Sequence, residues 1–117
     1  MWSSRTAISA SHFERGLELI RAGEYFEAHE ELELAWRAAE PEERDFHQGL
    51  VHVTVAWYQA GRGRPVGAAR QLEKAARRLA PYAPSHRGVD VASVLAQVER
   101  ARAVVDGGSL TLDPPHL

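Results

Sequence analysis

Cysteine is absent from the 117 residues, so neither a disulfide framework nor thiolate chemistry is available to this chain. Lysine is nearly absent as well, and arginine carries almost all the positive charge, a compositional habit read as that of the source genome. Long apolar runs are missing. The longest, Val53 to Tyr58, is broken by Thr54 and is far shorter than a membrane span. The opening residues, Met1-Trp2-Ser3-Ser4-Arg5, hold no apolar stretch of signal-peptide type. The expectation is therefore a cytoplasmic protein that does not enter a membrane. No segment alternates with strand period over a useful length. A net charge of -2 argues against a generally nucleic-acid-binding protein.

What is present is ordinary globular composition, with 44% hydrophobic and 26% charged residues. The length fits one domain with its own core. Residues 1–106 are expected to form it, with the core in about 11–105, and residues 107–117 to form an extended or flexible tail. Charge is unevenly placed. Nine acidic residues lie between Glu24 and Asp45, and seven basic ones between Arg62 and Arg87. Two such stretches attract each other within one domain. The basic one also carries an alternative function, RNA or phosphate binding through residues 62–87, although such a stretch is more often a solvated helix face.

Helical periodicity runs through the chain and predicts an all-α bundle of about five helices. Ser11-x-x-Glu14 fits a capping box, followed by Phe13, Leu17 and Ile20 on one face and a stop at Ala22-Gly23. A second helix is expected from about Glu24 to Ala39, with Pro41 closing it or opening the next. The third spans about Glu42 to Ala60 and ends at Gly61-Arg62-Gly63-Arg64-Pro65. The fourth spans about Val66 to Leu79. After a loop from Pro81 to Gly88, Asp90 caps a fifth helix that ends at Gly107-Gly108. A faint repeat with a 40-residue period is visible. Gly23, Ala28, Leu32, Glu33 and Ala35 recur as Gly63, Ala68, Leu72, Glu73 and Ala75. Gly23-x-Tyr25-x-x-Ala28 is similar to the second-helix start of tetratricopeptide repeats, and the pattern suggests stacked antiparallel hairpins.

The chemistry-bearing motif is His29-Glu30-x-x-Glu33-x-x-Trp36 on the second helix. At about 100° per residue, Trp36, Tyr25 and Leu32 fall within about 60° of His29 and Glu33 within about 40°. His29 is thus expected in the middle of the apolar stripe, held by Glu33 one turn on. The short link at Pro41 makes the second and third helices antiparallel. At equal height it sets Glu33 near Gln48 and His29 near His52. The third helix is expected to carry its apolar face on Phe46, Leu50, Val53 and Trp57. His12, His47, His86 and His116 read as surface or loop residues.

Three uses of this cluster follow. One is a structural network of His29, Glu33 and Gln48 in a non-catalytic domain, or the same cluster holding a small ligand or partner. Another is a divalent-metal site with His29, Glu33 and His52 as ligands, although the His-Glu-x-x-His order of zinc proteases and the four carboxylates of a di-iron bundle are both missing. The last is acid–base, hydrolase-type catalysis by His29 oriented by Glu33. The first leads, with no cofactor expected, no named partner and room for a homodimer.

Tyr25-Phe26-Glu27-Ala28-His29-Glu30-Glu31-Leu32-Glu33-Leu34-Ala35-Trp36 resembles the central motif of domain of unknown function 309. Gln48-Gly49-Leu50 is similar to its next motif, and Gly67-Ala68-Ala69 with Leu72 and Gly88-Val89-Asp90 fit the remainder, over about residues 11 to 100. The resemblance implies a compact helical bundle and no particular reaction. Its pattern falls on His29, Glu30, Glu33, Trp36, Gln48 and Gly49. His52 departs from it, where an aliphatic residue is usual. Gly49 is expected to let the second and third helices approach closely.

Overall fold

A computed structural model describes residues 4–117. The expected domain start at residue 1, and the reading of Met1 to Ser3, lie outside the described residues. Five helices follow one another: α1 (Ser4–Arg21), α2 (Tyr25–Ala38), α3 (Arg44–Gly61), α4 (Pro65–Leu79) and α5 (Val91–Asp106), with short 3-10 turns at Pro41–Glu43 and Ala80–Tyr82. The described residues form no strand beyond an isolated bridge between His86 and Val89. Each helix packs chiefly on its chain neighbours, and the molecule measures 49 × 26 × 19 Å. It is an all-α stack of antiparallel hairpins, as the sequence predicts. No helix among the described residues is long and apolar enough to cross a membrane.

The 40-residue repeat is visible in the backbone. At the end of α1, Gly23 N–H donates to Ile20 O and Glu24 N–H to Leu19 O, both at 2.9 Å. At the end of α3, Gly63 N–H donates to Ala60 O and Arg64 N–H to Gln59 O, both at 3.0 Å. Each closure is a Schellman-type stop that needs a left-handed residue, and Gly23 (φ +77) and Gly63 (φ +73) supply it. The following helices then bury matching residues. Ala28, Leu32 and Ala35 on α2 and Ala68, Leu72 and Ala75 on α4 are all fully buried.

Small residues set how closely the helices approach. Gly16 on α1 faces Leu32 of α2, and Gly49 on α3 faces Leu79 of α4. The close approach at Gly49 therefore joins α3 to α4, not α2 to α3 as the sequence suggests. A Cβ at position 49 would sit 2.6 Å from Leu79 Cγ and 2.7 Å from its Cδ2. Leu79 is fully buried and has no room to swing away. Gly49→Ala is therefore expected to cost about 1–3 kcal/mol by overpacking, read as a lower urea midpoint at unchanged slope.

Helix α1 extends at least seven residues before Ser11. Ser11 is an exposed mid-helix residue and forms no capping box. No breaker interrupts residues 5–10, and Ser9 anchors this turn by donating its hydroxyl to Ala35 O at 2.8 Å. The cap expected at Asp90 does form, with its side chain accepting from Ser93 N–H at 2.9 Å. The acidic and basic stretches meet twice. Arg78 Nη1 lies 2.7 Å from Asp45 Oδ1, and Arg87 pairs with Glu43.

Candidate functional site

The motif helix α2 turns a different side to the core than its large apolar residues suggest. Its buried residues are Ala28, Leu32 and Ala35, continued by Ala39. That stripe is centred about 90° from His29 on the helical wheel. His29 therefore stands on the shoulder of the core face. Its side chain is 23% exposed and that of Glu33 38%. The cause is steric. Alanines let helices approach closely, so they take the contact line, while Phe26 and Leu34 are left at the surface.

On that shoulder His29 Nδ1–H donates to Phe26 O at 2.7 Å. Only a protonated Nδ1 can make this bond, so Nε2 carries the lone pair of the neutral ring. Nε2 lies 3.6 Å from Glu33 Oε1, beyond a good hydrogen bond. The Phe26 ring packs edgewise on His29 at 5.2 Å between centroids and tilted on Tyr58 of α3 at 5.6 Å. Arg62 stands 5.7 Å from the Tyr58 ring centre and donates to its hydroxyl at 3.2 Å. Phe26 is 46% exposed. The result is an aromatic and charged edge along α2 and the end of α3.

The other expected members of the cluster do not join it. Glu33 and Gln48 share no hydrogen bond among the described residues, and Gln48 is half-buried. His52 turns to α4, where its Nδ1 lies 2.7 Å from Gln71 Oε1. Burial pushes its imidazole below the ordinary value, partly offset by Gln71, and Lys74, Arg78 and Arg77 add to the depression. His52 thus faces α4, the helix that Gly49 lets approach through Leu79. Among the described residues no group of three or more His, Asp or Glu side chains is placed to hold a metal ion. His29, Glu33 and His52 do not form one ligand set. Trp36 is half-buried and Glu30 exposed. A bridge to α1 is made by Glu31, 2.5 Å from His12 Nδ1.

The buried histidine of this bundle is His47, which the sequence reading places at the surface. It is 1% exposed. Its Nε2 lies 3.5 Å from Ser9 Oγ. Since Ser9 gives its own proton to Ala35 O, the imidazole must donate from Nε2, leaving Nδ1 buried without a partner. Burial lowers its pKa to about 4, with Arg87 adding repulsion that Glu43 partly offsets. Phe13 and Phe46 pack edgewise on its ring. Next to it Glu43 takes His86 Nε2 at 2.7 Å and the Arg87 guanidinium. Burial alone would raise the Glu43 carboxyl, but Arg87 and His86 hold it below its ordinary value. Ser9, His47 and Glu43 close one end of the bundle.

The family described as Domain of unknown function (DUF309) matches residues 13–71. That span runs from Phe13 on α1 to Gln71 on α4 and takes in the whole α2–α3 edge. The chain belongs to the DUF309 family. Neither a curated protein nor a solved structure matches it. Within the DUF309 span lie both the edge of Phe26, His29, Glu33 and Tyr58, where Phe26 is exposed and the other three are half-buried, and the buried His47. Phe26 with Tyr58 is the pair that sequence reasoning passed over. Its signal is register: Phe26 and Tyr58 sum to 84, close to the value that the short link at Pro41 sets for facing positions.

Proposed function

We propose that this DUF309 chain is a non-catalytic helical binding domain whose partner face is the α2–α3 edge bearing Phe26, His29, Glu33, Tyr58 and Arg62. One observation carries the reading. Phe26, a large apolar residue inside the motif, is 46% exposed and is set between His29 and Tyr58 instead of in the core. Aromatic residues are enriched in contact surfaces relative to the rest of a protein's exterior. Two clefts, one beside Trp57 and Gln97 and one beside Arg21 and Tyr25, are lined by none of His29, Glu33, Gln48 and His52.

The experiment is a differential one. Affinity capture from native extract is run in parallel with the wild type and with a Phe26→Ala/His29→Ala variant of equal helical content. At least one component should be held by the wild type and reduced tenfold or more by the variant. Equal retention of every component on both would contradict the proposal. Elemental analysis of protein purified without a histidine tag tests the divalent-metal alternative at His29 and Glu33. Stoichiometric zinc, iron or manganese lost in the same variant would favour it.

A further inference from the structure

Glu30 stands in the motif of α2, yet it is exposed and its carboxylate has no partner among the described residues. At the matching position of α4, forty residues on, Arg70 is also exposed and also unpaired among them. Both belong to outward stripes with one spacing. On α2 it is Phe26, Glu30, Glu33 and Arg37, opposite the buried line of Ala28, Leu32 and Ala35. On α4 it is Val66, Arg70, Glu73 and Arg77, opposite Ala68, Leu72 and Ala75. Helix α3 lies between them. Its Tyr58 meets Phe26 of α2 and its Gly49 faces Leu79 of α4. Those two positions are nine residues apart and point in opposite directions, at about 100° per residue. The three helices therefore form one layer, with α2 and α4 parallel. Their outward stripes leave by the same face of it. Heights match as well. Phe26 meets Tyr58, and the next residue of α3, Gln59, faces Gly67, so Phe26 is level with Val66 and Glu30 with Arg70.

We infer that this three-helix face is the contact surface of a two-fold dimer, with the acidic edge on α2 of one copy lying on the basic edge on α4 of the other. The inference names a second copy as the partner of the edge proposed above and rests on that reading. Glu27, Glu30 and Glu33 make one edge acidic, and Arg70, Lys74 and Arg77 make the other basic. A two-fold axis parallel to the helices sets each α2 over the α4 of the other copy, so the charge match is made twice. It also keeps heights. Glu30 then meets Arg70, the exposed Phe26 meets the exposed Val66, and Glu33 falls between Arg70 and Arg77. An axis across the helices would instead lay α2 on α2 and like charge on like. A nucleic acid covering the face would meet Glu30 and Glu33 along with the arginines, which favours a second copy as the occupant. Three helices about 9 Å apart and about 20 Å long offer on the order of 500–600 Å² per copy, the size of a transient interface.

The test is sedimentation velocity of the full chain beside two charge reversals, Glu30→Arg and Arg70→Glu, each matched to the wild type in helical circular dichroism. At low salt the wild type should dimerise with a dissociation constant below about 1 mM. At about 0.5 M salt it should associate at least about tenfold more weakly. Each reversal alone brings like charges together at two contacts and should weaken association at least about tenfold. An equal mixture of the two should recover wild-type association, because every reversed residue then meets its opposite. A wild type that stays monomeric to about 1 mM at low salt overturns the dimer. So does a mixture that associates no better than either variant alone, or a dimer that neither reversal weakens. A monomeric wild type that binds a single-stranded RNA oligonucleotide, and loses it in Arg70→Glu but not in Glu30→Arg, overturns it too and gives the α4 edge to a polyanion. In each of these cases the capture comparison with Phe26→Ala/His29→Ala still decides the contact face separately.

Discussion

Phe46→Ala should lower the unfolding free energy by about 3–5 kcal/mol, a large share of the roughly 5–15 kcal/mol that holds a domain of this size together. Phe46 is fully buried. Its ring meets Phe13 of α1 at 5.7 Å, His47 at 5.4 Å, and Tyr82 and His86 of the α4–α5 connection at 5.4 and 4.7 Å. One side chain of α3 therefore ties the first helix to the loop before the last. Truncation loses the transfer term and opens a cavity whose walls belong to three separate segments, which limits collapse. The Tyr82 hydroxyl, held by Glu42 O at 2.7 Å, and the His86–Glu43 pair fix that loop from outside. A urea titration followed at the tryptophans measures the effect. A loss under 1 kcal/mol would mean that the end of the bundle is looser than the ring contacts show.

Acid should weaken the fold before the carboxylates titrate. The His47 pKa falls from 6.5 to about 4 in the folded protein. Between those values the unfolded chain carries a proton on this imidazole and the folded chain does not. Unfolding then takes up a proton, and stability drops as pH falls. The contribution is intact above pH 6.5 and is lost progressively toward pH 4, reaching roughly 3 kcal/mol at 1.36 kcal/mol per unit. His52, lowered in the same direction, adds to the slope in the window below 6.5. Glu43, held below its ordinary value, contributes in the same sense only at lower pH. His47→Leu removes the buried Nδ1 and leaves the Ser9 bond to Ala35 in place. It should therefore stay within about 1 kcal/mol of wild type at pH 8 and exceed it at pH 4.5. Parallel pH profiles for the two proteins would show that His47 is not the group that titrates.

How far the sequence could be read differs between the fold and the site. Helix order, the stop at Gly23, its repeat at Gly63 and the Asp90 cap are all local signals, set by residues within a turn of one another. The matching burial of Ala28 and Ala68 follows from the same period. The site depended on rotation, and rotation was misjudged because alanine weighs little in an apolar stripe. Counting Ala28, Ala35 and Ala39 as the contact line would have moved His29 to the shoulder. His52 was misplaced for a related reason: Gly49 on its own face gives that side of α3 to Leu79 and α4. His47 was missed because a histidine between Phe46 and Gln48 shows no polar partner nearby in the chain. Its partner, Ser9, lies 38 residues away. The bonds that Arg21, Trp57 and Gln97 make to residues 109–117 were equally invisible, since they are side-chain bonds to a backbone that carries no periodic signal.

The central claim is that the motif histidine serves the surface while His47 is the histidine of the core. Urea unfolding of His29→Ala beside wild type at pH 7.5 tests it most directly. A surface His29, bonded only within its own helix turn, should cost no more than about 0.5 kcal/mol on removal. A loss of about 2 kcal/mol or more, the size expected when a buried partner is orphaned, would return His29 to the core and contradict the claim.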